Sequence, residues 1–335
     1  MTRAAVFGAG SWGTAYAAIL TDADPSVQVT IHARRAKVAD AITRTHVNTD
    51  YLPDLRLPEQ VSATTDPAQA AAGADLVILA VPSQSLRDNL GAWAHVVPQE
   101  AVVVSLMKGI ELRTGMRMSE VIGQAGGIGP ERVVVVSGPN LSKEIAAKQP
   151  AASVVAGVDH EAAERVAQAS AAPYFRPYTQ TDVVGTEIGG AVKNVVALAV
   201  GMAEGLGYGD NTKSSIITRG LAETARLGAA LGADPATLMG LAGVGDLIAT
   251  CMSPLSRNHS VGVKLGRGVT IAEVAAIPHQ TAEGVKSCRS VVDLAHSLGV
   301  DMPICEGVTA VVEQHLSPEQ LADALMSRAR KHERH

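Results

Sequence analysis

Aromatic side chains are nearly missing from this chain, at 3% of 335 residues, although hydrophobic residues as a group reach 47%. The core must be built from Ala, Val, Leu and Ile, which favours helices and parallel strands over an aromatic-rich β-sandwich. Cysteine is also scarce. Cys251, Cys288 and Cys305 stand too far apart for a disulfide framework or a zinc pattern. No two histidines form an HxH or HxxxH pair, so no metal site is expected. An excess of positive charge is lacking, and a formal net charge of -5 argues against a general nucleic-acid binder. Met1-Thr2-Arg3 runs straight into a strand, so no signal peptide is read there. The one long apolar run, 188–203, is broken by Lys193 and Asn194 and followed by Glu204, which makes it a poor membrane span. The expectation is a cytoplasmic chain with a charged, solvated tail at 326–335. Its length exceeds what one core usually holds, so two domains are the default.

That apolar run is the most informative stretch present. Glu187-Ile188-Gly189-Gly190-Ala191-Val192-Lys193-Asn194 continues through Val195 to Met202 and reads as a helix apolar on nearly every face, hence buried. Lys193 shares a face with Gly189, Gly190, Val196, Ala197 and Val200. The two glycines leave that face bare, so a backbone or a ligand can approach. A desolvated lysine beside an amide and a gap suits proton transfer at a bound small molecule. The plainer reading is a lysine that lays its stem on the core and reaches water.

The first half reads as alternating strands and helices. Ala4-Ala5-Val6-Phe7 ends in Gly8-Ala9-Gly10-Ser11-Trp12-Gly13, an Ala-rich helical stretch follows at 14–20, and Val27-Gln28-Val29-Thr30-Ile31 alternates as a strand. Strand, GxGxxG, helix and strand in about 30 residues is the context of a dinucleotide fingerprint. Its helix start would cradle a pyrophosphate. After the second strand stand His32-Ala33-Arg34-Arg35, with no carboxylate for a ribose 2′-hydroxyl. Paired guanidiniums suit a 2′-phosphate, so NADP(H) is expected to be preferred, with NAD(H) accepted. Asp75 to Pro82, Ala101 to Ser105 and Val133 to Val136 read as buried strands of a parallel sheet, and Ser153 to Ala156 and Tyr174 to Tyr178 as later, shorter strands of unassigned direction. Lys108, just past a strand end, falls on the ligand rim of such a sheet. Asn140 or Ser142 is placed to cap the next helix.

From Thr186 strand signals fade and helical periodicity takes over. We therefore expect a Rossmann-type domain over 1–185 and a helical domain over 186–335. Residues 213–231 read as a helix. Asp246, after Gly240-Leu241-Ala242-Gly243-Val244-Gly245, reads by itself as an N-cap. Ser256-Arg257-Asn258 at a helix start makes either a phosphate cradle or an ordinary capped surface helix.

Six motifs, in this order, resemble bacterial NAD(P)-dependent glycerol-3-phosphate dehydrogenases. They are Gly8 to Ala15, Ser105 to Gly109, Ser137-Gly138-Pro139, Glu187 to Asn194, Leu241 to Asp246 and Ser256-Arg257-Asn258. Asn48-Thr49-Asp50-Tyr51-Leu52-Pro53 and Thr218-Arg219-Gly220-Leu221 look like the same family. The resemblance implies hydride transfer between sn-glycerol 3-phosphate and dihydroxyacetone phosphate, in the direction that supplies phospholipid synthesis, by a homodimer. It implies Lys193 as proton acceptor, with Lys108 and Asp246 beside it in the catalytic group. It places Lys108, Gly138, Asn140, Lys193, Asp246, Ser256, Arg257 and Asn258 around the substrate. It places Gly8, Gly10, Ser11, Trp12, Gly13, Arg34, Arg35, Lys108, Ser142, Arg257, Thr281 and Glu283 along the cofactor. Asn140 and Ser142 depart from the family pattern of Ser or Thr and of Ala, which puts those two contacts in question. A hydroxyacid or ketopantoate-type reductase on the same fold, or a non-catalytic NADP-sensing module, is the competing reading.

Overall fold

The computed structural model describes residues 2–276 and 282–329. Among the described residues ten strands run in chain order: β1 (Arg3–Phe7), β2 (Gln28–His32), β3 (Val47–Asn48), β4 (Leu52–Arg56), β5 (Val61–Thr64), β6 (Leu76–Leu79), β7 (Val102–Ser105), β8 (Val133–Ser137), β9 (Ala151–Gly157) and β10 (Phe175–Gln180). Strands β3 and β4 form a separate antiparallel hairpin. The other eight make one sheet in the order β5-β2-β1-β6-β7-β8-β9-β10. The first six of that order are parallel, and β9 turns antiparallel to β8, carrying β10 with it. Strand order reverses between β1 and β6, so the crevice of this doubly wound sheet opens there, at the carboxyl ends.

The central strands β1, β6, β7 and β8 are buried on both faces. Ala4 and Val6 of β1 face one apolar layer while Ala5 and Phe7 face the other, the period of two expected of a strand. After Gln180 the described residues contain helices but no strand. Their core is the helix Val183–Gly205, nearly every residue of which is buried. By length and composition it could cross a membrane, but 94% of its apolar window is buried against the rest of the chain. The helix Arg257–Gly266 lies along it at main-chain distance. A Cβ on Gly201 would come within 2.9 Å of the Gly262 Cα, and a Cβ on Gly205 would come as near the Gly266 Cα.

Glu187, near the start of the long helix, is buried and takes three hydrogen bonds: from Arg117 Nη1 at 2.7 Å, Ser119 N at 2.8 Å and Ser119 Oγ at 2.6 Å. Burial pushes its pKa up, and the Arg117 guanidinium opposes that. Glu187 thus anchors the helix to the sheet half. Arg117→Ala strips the buried carboxylate of its counter-charge and should cost about 3 kcal/mol at neutral pH. A folded-state pKa above the unfolded value means this group's contribution is greatest in acid and falls as pH rises. Thermal melts of the variant should therefore show a smaller deficit at acidic pH, where Glu187 takes up a proton.

Candidate active site

The parallel strands end on one rim. Gly8 follows β1, Arg34 and Arg35 follow β2, Lys108 follows β7, and Gly138 and Asn140 follow β8. The long helix brings Lys193 against that rim from the other half. Both glycines beside Lys193 are filled by protein. A Cβ on Gly189 would lie 2.4 Å from the Ala242 carbonyl oxygen, and one on Gly190 would lie 3.3 Å from Lys108 Cγ. The bare face therefore admits the backbone before Asp246 and the stem of Lys108.

What converges there is one carboxylate between two ammoniums. Lys193 Nζ donates to Asp246 Oδ1 at 2.6 Å, and Lys108 Nζ donates to Asp246 Oδ2 at 2.6 Å. Lys193 is 7% exposed and Asp246 1%. Lys193 donates again to Thr250 Oγ1 at 2.6 Å, and Lys108 to the Gly138 carbonyl at 2.9 Å. An ammonium carries three protons, so each lysine keeps one for a ligand. Burial, reinforced by the neighbouring Lys193 charge and opposed by Asp246, lowers Lys108 to about 8. The N-cap reading of Asp246 fails. It sits inside the first turn of Asp246–Met252, after a wide turn over Leu241–Gly245, and both of its oxygens serve the lysines.

Asn194, next to Lys193, accepts from Asn258 Nδ2 at 2.8 Å, and Asn258 Oδ1 accepts from Gly284 N at 2.9 Å. The Asn258 carboxamide thus joins three helices, and what it offers a ligand at the helix start is its main-chain N–H. Ser256 is the N-cap, its Oγ accepting from His259 N at 3.2 Å. Arg257 is exposed beside it. Asn140 and Ser142 do not cap. Leu141 holds that position, and Asn140 Nδ2 donates to Ser153 Oγ at 3.0 Å. Since the Ser153 hydroxyl gives its proton to Ser137 O, it can only accept from Asn140, which fixes the orientation of the amide.

The fingerprint turn fits a dinucleotide. Gly8 has φ +122°, and a Cβ there would lie 2.5 Å from the Ala80 carbonyl oxygen. One on Gly13 would lie 2.3 Å from the Gly8 carbonyl oxygen, whereas one on Gly10 meets nothing within 4 Å. Two glycines therefore serve packing, and the third leaves the start of Ser11–Ala23 open to an anion. Asn48 braces the turn, donating to Ala9 O at 3.0 Å and to Thr14 Oγ1 at 2.8 Å. Trp12 packs on Tyr16 and Phe175 with its indole N–H buried and unpaired. The carboxylate missing after β2 arrives from the hairpin, where Asp50 pairs with Arg35 at 2.9 Å while Arg34 stays exposed. Glu283 accepts from Ser83 Oγ at 2.7 Å. Thr281 lies outside the described residues.

Two family models cover most of the chain. Residues 3–163 match the N-terminal model of NAD-dependent glycerol-3-phosphate dehydrogenase, and residues 182–323 match its C-terminal model. The chain belongs to that family. A Streptomyces coelicolor protein named glycerol-3-phosphate dehydrogenase [NAD(P)+] is 59% identical over 332 residues, 99% of this chain and 98% of that protein. One from Streptomyces griseus with the same name is 60% identical over equal shares. The crystal structure of glycerol-3-phosphate dehydrogenase from Coxiella burnetii superposes with a TM-score of 0.92 at 31% identity, covering 98% of this chain and 99% of that one. For this dehydrogenase chain the motifs marked Lys193, Lys108 and Asp246 by resemblance but gave no sign of Thr250. Its spacing of four from Asp246 on one helix was the available signal.

Proposed function

We propose that the carboxylate bridging Lys108 and Lys193 is the centre of a glycerol-3-phosphate dehydrogenase reaction. The chain is an NAD(P)-dependent oxidoreductase that interconverts sn-glycerol 3-phosphate and dihydroxyacetone phosphate. When bound, the nicotinamide supplies or takes up the hydride. The chain's own residues manage one proton and one phosphate. In reduction the remaining Lys193 proton passes to the oxygen that becomes the C2 hydroxyl, and in oxidation neutral Lys193 takes it back. The spare N–H of Lys108 faces the same oxygen as negative charge develops on it. Asp246 holds both ammoniums in place, and Thr250 fixes the direction of Lys193. The first-turn N–H groups and the free guanidinium at Arg257 suit the phosphate. We place most cofactor contacts on residues 1–185, and the base, the phosphate contacts and the Glu283 contact to the cofactor on 186–335. A homodimer in the cytoplasm completes the proposal.

The observation that carries it is the buried lysine–aspartate–lysine arrangement at the end of the crevice. The test is nicotinamide absorbance with dihydroxyacetone phosphate, with unphosphorylated dihydroxyacetone in parallel. Oxidation of NADPH that needs the phosphate supports the reading, and equal rates with both ketones would sink it.

Arg257→Ala should raise the Michaelis constant for dihydroxyacetone phosphate by about tenfold to a hundredfold, with a smaller change in kcat, because it removes binding common to ground and transition states. An unchanged constant would move the phosphate elsewhere. Arg34→Ala should weaken NADPH by about tenfold and leave NADH within about twofold, the loss of one charge-assisted phosphate contact. Equal effects on the two cofactors would exclude Arg34 from the 2′-phosphate.

A further inference from the structure

Ser83 and Glu283 are 200 residues apart, yet the Ser83 hydroxyl donates to Glu283 Oε2 at 2.7 Å. Ser83 is 2% exposed and lies on the loop leaving β6, the strand on the far side of the switch point from β2. That loop is locked to the rim. Its Ala80 carbonyl lies against Gly8, and Ser83 lies against Gly109, where an added Cβ would sit 2.5 Å from Ser83 Oγ and 3.1 Å from Ser287 Oγ. Glu283 opens the helix Glu283–Ser297, whose second residue is held by Asn258. The contact therefore fastens the first turn of a substrate-side helix over the β6 and β7 ends of the sheet. No motif used above includes Ser83.

We infer that Ser83 is a positioning residue for the nicotinamide half of the cofactor, acting by fixing the Glu283 carboxylate. The inference rests on the cofactor reading above. Three physical steps lead to it. In a doubly wound sheet a dinucleotide lies across the switch point, one half on each side. The arginines after β2 suit the adenosine end and its 2′-phosphate, so the β6 and β7 side holds the other end. A carboxylate is repelled by a diphosphate, and its partners there are neutral donors, the ribose hydroxyls or the carboxamide N–H of the nicotinamide. Ser83 occupies one lone pair of Oε2 and sets the carboxylate plane. Oε1 is left as the acceptor.

The experiment uses the full chain and two ligands. NADPH has both halves, whereas adenosine 2′,5′-bisphosphate has only the adenosine half. Kd values for both are measured by calorimetry for wild type, Ser83→Ala, Glu283→Gln and the double variant, with melting temperatures alongside. Ser83→Ala should weaken NADPH by about tenfold, the loss of a hydrogen bond to a charged group, and leave the bisphosphate within about twofold. The double variant should be little weaker than Glu283→Gln alone, because both changes act through one carboxylate. An unchanged NADPH Kd in Ser83→Ala overturns the inference. So does equal weakening of both ligands, the signature of a merely structural brace, or additive effects in the double variant. Wild-type NADPH binding without turnover would sink the proposed reaction, yet the comparison of the two ligands would still decide the role of Ser83.

Discussion

Lys193→Ala should lower kcat for dihydroxyacetone phosphate reduction by about 10³-fold, within the range lost when a positioned general acid is removed. Folding and cofactor binding should survive. Asp246, which would be costly as a lone buried charge, keeps Lys108 as its partner at 2.6 Å, so the variant does not orphan it. Thr250 loses one donor and still donates to Asp246 at 3.4 Å. Steady-state rates and an NADPH titration on the same preparation separate the two effects. Turnover within a few-fold of wild type would remove Lys193 from proton transfer and leave Lys108 as the remaining candidate.

Asp246→Asn should also be damaging, though less so and for a different reason. It leaves two ammoniums facing a neutral amide in a site that water barely enters. One of them should lose its proton, because keeping both charged costs several kcal/mol, on the order of a broken buried pair. The sign follows from Lys108. Its folded pKa of about 8 is already below the ordinary value, with Asp246 opposing the fall. Removing Asp246 lowers it further. Wild-type kcat/KM for reduction should therefore decline as pH rises through about 8, where Lys108 loses the charge proposed to stabilise the developing oxyanion. In Asp246→Asn that alkaline limb should move to lower pH, and the maximum should fall by about 10²-fold. These limbs belong to the coupled cluster rather than to one lysine. A limb that does not move would show that Asp246 sets neither charge. Stability runs the other way: a depressed lysine pKa means that this group's contribution is weakest below pH 8 and recovers above it.

Much of this was legible in the sequence, for identifiable reasons. The apolar runs ending in Phe7, Leu79, Ser105 and Ser137 are strands, because strands covered on both faces must be apolar throughout. The long helix was legible because it lacks a polar face, and its lysine stood out for the same reason. The Ser256 cap was legible too, but the roles of Asp246 and Asn140 were not. Asp246 has the composition and place of an N-cap, but tertiary pairing with two lysines claims its carboxylate. Asn140 and Asn258 spend their amides on Ser153, Asn194 and Gly284, and no local pattern predicts partners that distant. Arg35 meets Asp50 because a hairpin folds back on the fingerprint turn. Long-range side-chain pairing is what composition and periodicity leave unspecified.

The glycine contacts between Val183–Gly205 and Arg257–Gly266 have a further consequence. Lys193 rides on one helix and Arg257 begins the other, and the two helices meet main chain to main chain at Gly201 and Gly262. The backbones that carry Lys193, the proposed base, and Arg257, the proposed phosphate anchor, are thus spaced by backbone thickness, while the exposed Arg257 side chain keeps its own rotamers. Such a pair of helices works as a fixed caliper. On the proposed roles, a phosphorylated ketone one carbon longer should be reduced with a lower kcat/KM than dihydroxyacetone phosphate, which parallel steady-state rates would check. Selectivity for chain length in this enzyme would then be written in residues that touch no part of the substrate.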